Sequence, residues 1–103
     1  MITNTVLDTS ATTILTGGGN LGTATSTIYF CNNGATATTF NLYAVQTGFT
    51  ANGSNIVYTN KVIAAYDTYI ADLEKIFLGP GDMLVANANV AGNIVATVSS
   101  IGI

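Results

Sequence analysis

Histidine, tryptophan and arginine are absent from this 103-residue sequence, which has one cysteine, one proline and only 7% charged residues. Without histidine there is no Ser–His or Cys–His nucleophile pair and none of the usual zinc ligand sets. A single cysteine, Cys31, excludes an internal disulfide, and such a residue most often packs as a small hydrophobe. The charges are Asp8, Lys61, Asp67, Asp72, Glu74, Lys75 and Asp82, for a formal net charge of −3. Ordinary soluble domains carry roughly 25% charged residues. Two lysines cannot build the cationic cluster that phosphate binding needs, so neither nucleic acid nor an anionic membrane is expected as a partner. No apolar run approaches the roughly 20 residues of a membrane span. The opening MITNTVLDTS has neither a basic nor an apolar signal region, so no secretory signal is expected, and Met1 implies an unprocessed start.

What the chain does have is apolar mass. Its 49% of hydrophobic residues can offset the ordering entropy of one core, so a single domain over 1–103 is expected. Threonine is the commonest residue, and the surface must be built largely from Thr, Asn, Ser and Gly. A free monomer ordinarily keeps roughly 25–35% of its surface charged. A surface this neutral loses little on desolvation when covered, which points to a subunit packed against other chains. A monomeric, Thr-rich extracellular domain is the alternative.

Turn formers recur at short intervals: Gly17-Gly18-Gly19-Asn20, Asn32-Asn33-Gly34, Asn52-Gly53-Ser54, Gly79-Pro80-Gly81-Asp82 and Ala91-Gly92-Asn93. Between them apolar residues alternate with period two, as in Phe40, Leu42 and Ala44 against Thr39, Asn41 and Tyr43. Ile28 and Phe30 oppose Thr27, Tyr29 and Cys31 in the same way, as do Ile94, Ala96 and Val98 against Val95, Thr97 and Ser99. The pattern predicts an all-β fold: an antiparallel β-sandwich, jelly-roll-like or Ig-like, of about eight strands. They are placed at Thr3–Asp8, Thr12–Thr16, Thr23–Asn32, Thr36–Val45, Asn55–Ile63, Thr68–Ile76, Met83–Asn89 and Asn93–Ile101. The best helical candidate, Ala64–Phe77, spaces Ala65, Tyr69, Leu73 and Phe77 four apart, but its Thr, Tyr and Ile content favours a strand. Pro80 and Gly81 predict a type II turn, with Gly81 at positive φ.

Several motifs invite a chemical reading. Gly17, Gly19 and Gly22 spell G-x-G-x-x-G, yet Thr23–Thr27 is a poor helix former and no acid stands where a ribose contact belongs, so a flexible loop is expected. Asp72 and Glu74 would project from one strand face about 6–7 Å apart at Cα. That spacing suits a calcium site or a glycosidase pair, but a solvated face beside Lys75 accounts for it without a cleft or sugar platform. Asn52-Gly53-Ser54 is a glycosylation sequon by letter and reads as a hairpin turn. Lys61 and Lys75 read as solvated. No catalytic, cofactor-binding or metal-ligating residue is assigned, and no cofactor is expected. Tyr66 and Tyr69 flank Asp67 at an expected tight connection, where tyrosine offers a large amphipathic surface to a partner or sugar. The simpler reading lays them over the sheet edge.

From Thr23 onward the segments Thr27-Ile28-Tyr29-Phe30-Cys31-Asn32-Asn33-Gly34, Phe40-Asn41-Leu42-Tyr43-Ala44-Val45, Ile63-Ala64-Ala65-Tyr66-Asp67-Thr68-Tyr69, Leu78-Gly79-Pro80-Gly81-Asp82-Met83-Leu84 and Val95–Ile103 follow in an order that resembles small β-sandwich virion proteins of tailed bacteriophages. Tyr66 departs from the resemblance, standing where such sequences carry a small turn residue. The resemblance implies a non-enzymatic structural part of the particle, foremost a capsid decoration (cement) protein that binds the major capsid protein at the capsid surface. A trimer is the expected oligomer. Partner contacts are expected at Tyr66, Tyr69, Ile101 and Ile103, and the arm Met1–Thr16 is a candidate for strand exchange with a neighbour. A head–tail connector or tail subunit is one alternative, and a glycan-binding module of a phage adhesin is another.

Overall fold

The computed structural model describes residues 1–71 and 75–102. Nine strands run in chain order: β1 (Ile2–Val6), β2 (Thr12–Thr16), β3 (Thr23–Asn32), β4 (Thr38–Val45), β5 (Ile56–Ile63), β6 (Thr68–Ala71), β7 (Phe77–Leu78), β8 (Met83–Ala88) and β9 (Ile94–Gly102). The first sheet has the order β1-β9-β3-β6, with β7 also on β3, and the second has the order β2-β8-β4-β5. Every pairing is antiparallel.

The pairings nest. β4 meets β5, β3 meets β6, β2 meets β8 and β1 meets β9, so the chain is one long ribbon doubled back at the β4–β5 connection. Rolling that ribbon brings β9 against β3 and β8 against β4, which closes the two sheets. This is the double Greek key of a jelly roll. An Ig-like arrangement would put the first two strands in one sheet; here they lie in different sheets. The arm expected to exchange pairs within its own sandwich in the single chain, β1 on β9 and β2 on β8.

Period-two alternation decides what is buried. Ile28, Phe30, Phe40, Leu42, Leu84, Ala86, Ile94, Ala96 and Val98 all face the space between the sheets. Phe30 of the first sheet stacks on Phe40 of the second, with ring centroids 4.1 Å apart. Burying each of these Val, Leu, Ile and Phe side chains stabilises the fold by about 1.5–3 kcal/mol. The Cα radius of gyration, 12.9 Å, equals that of one compact body of this length.

One strand is broken where continuity was expected. The expected strand Thr68–Ile76 is described as β6 over Thr68–Ala71, Lys75 and Ile76 lie in no strand, and Phe77–Leu78 pairs separately with Ala24 and Thr23, which gives nine strands among the described residues. Opposite Ile76, β3 slips register against β9 between Thr25 and Thr27. There Thr25 exchanges bonds with Ile76, its amide donating to the Ile76 carbonyl at 2.9 Å and its hydroxyl accepting from the Ile76 amide at 3.0 Å. The Asp72–Glu74 pair lies outside the described residues. No described residue of Ala64–Phe77 is helical.

The glycine-rich loop leads into strand β3, not a helix. Its glycines answer to packing: a Cβ on Gly17 or Gly22 would stand 2.2 Å from the carbonyl oxygen of Gly79 or Leu78 respectively. The turn it leans on is the predicted type II turn, with Gly81 at φ 85° and the Asp82 amide donating to Gly79 at 3.0 Å.

Candidate interaction surface

Strand register lines up the outer face of the first sheet in rows. Val6, Val95, Cys31 and Thr68 form one row, and Asn4, Thr97, Tyr29 and Ile70 the next. Ile2, Ser99 and Thr27 follow, then Ile101, Ala24 and Phe77. Among the described residues the strands of this face carry no Asp, Glu or Lys, and an ammonium beside them, that of Lys75, donates to the Ser26 carbonyl of β3 at 2.5 Å. The face exposes Ile2, Val6, Tyr29, Ile70, Phe77 and Ile101 to solvent. A neutral side-chain bond crosses it, from the Thr97 hydroxyl to the Asn4 carbonyl oxygen at 2.8 Å.

The outer face of the second sheet is built differently. Asn41 donates to Asn87 at 3.0 Å and accepts from the Asn60 main-chain amide at 2.7 Å, and Asn89 accepts from the Thr39 amide at 3.0 Å. An amide ladder therefore ties β5, β4 and β8 together from outside. Asn60 makes its contact from a left-handed conformation, φ 48°, which asparagine tolerates better than bulkier residues.

The described charges sit in loops and on one edge strand. Asp8 follows β1, Asp67 precedes β6, Lys75 precedes β7, Asp82 precedes β8 and Lys61 lies on β5. Asp82 is fully engaged: its carboxylate accepts from the Thr47 amide at 2.9 Å, the Thr47 hydroxyl at 3.0 Å and the Gly79 amide at 3.0 Å. These bonds, those from Thr47 foremost, hold its carboxyl below the usual carboxylate range. The Lys61 ammonium stands 4.8 Å from the centroid of the Tyr69 ring.

The two tyrosines expected at a partner contact are separated by the fold. Tyr69 turns inward and packs on Tyr58 edge-to-face at 5.5 Å and on Phe40 at 6.1 Å. Burial, with its Tyr69 contact second, pushes the Tyr58 hydroxyl up to about 12. Tyr66 turns outward, is 71% exposed and holds φ 59°, a left-handed conformation unfavourable for a bulky side chain. Its amide is fixed by the Gly34 carbonyl at 3.2 Å, and the next residue's amide bonds Ala64 at 3.1 Å. Tyr66 thus stands at the rim of the first sheet, beyond the row that ends in Thr68. Ile101 lies on the uncharged face, 65% exposed. Ile103 lies outside the described residues. Sequence reasoning missed Ile2, Val6, Ile70 and Phe77 as parts of one surface, because only the register places them side by side.

A cavity of about 310 Å³ opens between the sheets, lined by Ile28, Leu42, Ala44, Val57, Tyr58, Ala71 and Ile76. Its lining offers the Tyr58 hydroxyl and otherwise hydrocarbon. Among the described residues no three His, Cys, Asp or Glu side chains gather into a group able to hold a metal ion. No family model, curated protein or solved structure matches the chain.

Proposed function

We propose that the protein is a non-enzymatic virion structural subunit, a capsid decoration protein of a tailed bacteriophage that rests on the major capsid protein through the outer face of its first sheet. The observation that carries the reading is the uncharged, apolar surface running from Ile2 and Val6 across Tyr29 to Ile70 and Phe77. Covering it removes hydrocarbon from water, at about 25 cal/mol per Å², and among its described strand residues it meets no ionised side chain, the Lys75 ammonium on Ser26 lying at its border. The resemblance of its segment order to small phage virion proteins, read from the sequence, supports the same reading, and jelly rolls are a frequent architecture of viral shells, an argument by analogy of fold alone.

Size sets a further condition. At about 3.3 Å per residue and about 4.8 Å between strands, the described residues of β1, β9, β3, β6 and β7 present roughly 500 Å². A standard interface takes about 800 Å² from each partner. Loops at the rim must therefore contribute, and Tyr66 is the exposed aromatic placed to do so. Bound subunits would stabilise the shell by mass action, adding contacts that only the assembled state offers.

Purified virions test the reading by stoichiometry. A copy number comparable with that of the major capsid protein is expected; a ring-like number would point instead to a connector or tail subunit. Shells lacking the protein should bind it when it is added back, and Ile70→Lys should abolish that binding while leaving the fold intact. Full binding by Ile70→Lys would remove the uncharged face from the argument.

A further inference from the structure

Among the described residues five strands form the edges of the two sheets, and three of them carry a feature that deters pairing with another chain. β2 slips register between Thr13 and Leu15. β5 bears Lys61, the left-handed Asn60 and two irregularities against β4. β7 is two residues long, and four residues of β6 are described. β1 has none of these: its five residues hold unbroken register on β9, with no charge, bulge or proline.

The free edge of β1 is defined by its bonded one. Leu7 donates to Ile94 at 2.8 Å and Ser100 donates to Met1 at 2.8 Å, which makes Met1 and Leu7 hydrogen-bonded positions against β9. The alternation of an antiparallel ladder then assigns Thr3 and Thr5 to the same set. It turns the main-chain N–H and C=O groups of Ile2, Asn4 and Val6 away from β9. The sequence of this strand, Ile-Thr-Asn-Thr-Val, has the same chemistry read in either direction.

We propose that β1 pairs antiparallel with β1 of a second copy of this chain about a two-fold axis through Asn4. Ile2 then faces Val6, Asn4 faces Asn4, and the first sheets of two subunits become one continuous sheet. The junction forms about six main-chain hydrogen bonds, two for each facing pair. β-branched side chains oppose each other on both sides of the axis, a favourable cross-strand pairing. A one-residue slip would present Thr3 and Thr5, whose main-chain groups are already used, and a two-residue slip would lose a pair. An isologous contact sets each group near its own copy, and this strand has no charge to be repelled there. The inference is independent of where the subunit resides.

Sedimentation velocity and amide hydrogen exchange on the intact chain test it. The wild-type protein should sediment at twice the 10.5 kDa chain mass, with the amides of Ile2, Asn4 and Val6 protected alongside those of Thr3 and Thr5. Asn4→Pro removes an outward N–H and sets its ring against an incoming strand, while the bonds to β9 stay available. It should sediment as a single chain with an unchanged circular dichroism spectrum. If Asn4→Pro does not fold, Asn4→Lys decides, because facing ammonium groups should give single chains at low salt and restore dimers at high salt. Ile70→Lys, on the far side of the sheet, should leave the dimer intact. Rapid exchange at Ile2, Asn4 and Val6 in the wild type, or a dimer that survives both Asn4 variants, would overturn the proposal.

Discussion

The side-chain amide of Asn32 in the first sheet donates to the main-chain oxygen of Ile63 in the second, at 3.0 Å. The same amide reaches Thr36 at 2.8 Å and Ala64 at 3.3 Å, and its carbonyl accepts from the Gly34 amide at 2.9 Å. One fully buried residue thus holds two of the crossings between the sheets at this end, β3 to β4 and β5 to β6, including the turn that presents Tyr66.

Asn32→Ala should lower the unfolding free energy by about 2–4 kcal/mol, since several main-chain groups lose their partner inside the protein. Asn32→Asp should cost more at neutral pH, where a carboxylate would face carbonyl oxygens. Chemical denaturation measures both, and a loss below about 1 kcal/mol for Asn32→Ala would show that water replaces the amide.

Asp82 makes a prediction in acid. Its carboxyl is held below the usual range by bonds from Thr47 and Gly79, so the folded state favours the ionised form. The stability this adds is full above the unfolded carboxylate value of about 3.9 and is lost as pH falls through the lower folded value. Asp82→Asn should melt below the wild type at neutral pH, and the two melting temperatures should converge as the solution is acidified below pH ~4. A constant gap at all pH values would assign the difference to something other than ionisation.

Tyr58 makes the opposite prediction in alkali. Its folded value near 12 lies above that of an unfolded tyrosine, about 10. Between those values the unfolded chain releases a proton that the folded chain keeps, so stability declines as pH rises through that window. Tyr58→Phe should flatten the decline. A melting curve equally steep in both proteins over this range would place the sensitive group elsewhere.

Tyr66 gives a prediction against intuition. A non-glycine residue in the left-handed region is disfavoured by about 1–2 kcal/mol, and asparagine bears that conformation better. Tyr66→Asn should therefore raise stability by about 0.5–1 kcal/mol. It should weaken binding to shells if the ring lies in the contact. A destabilised Tyr66→Asn would mean that the exposed ring packs on its own turn.

Much of the sheet was legible because burial follows local alternation. Ile28 and Phe30, or Phe40 and Leu42, declare their face within a few residues, and Pro80-Gly81 dictates its turn through φ alone. The order of strands was not legible at that range. Asn4 and Thr97, bonded across β1 and β9, are 93 residues apart, and nothing near either one names the other. Ile76 read as the end of a strand, whereas it is held by Thr25, a partner 51 residues away that nothing local names. The inward turn of Tyr69 was equally hidden, since Tyr69 and Ile70 are both good strand residues and only pairing with Phe30 and Tyr29 sorts them. The surface was legible as a shortage of charge, while its assembly into rows needed the register.

The nested ribbon also fixes the order in which the protein can be finished. β2, β8, β4 and β5 all exist once residue 88 has been made, so the second sheet can form on a growing chain. The first cannot, because β9 lies between β1 and β3 and is synthesised after every other strand. Until residues 94–102 emerge, the hydrocarbon side of the completed layer has no lid and β3 offers an open flank to other nascent chains. Contacts so distant in sequence form slowly. The interval between translating β8 and seating β9 is therefore when aggregation threatens most, and slowing translation there should lower the soluble yield more than slowing it anywhere earlier.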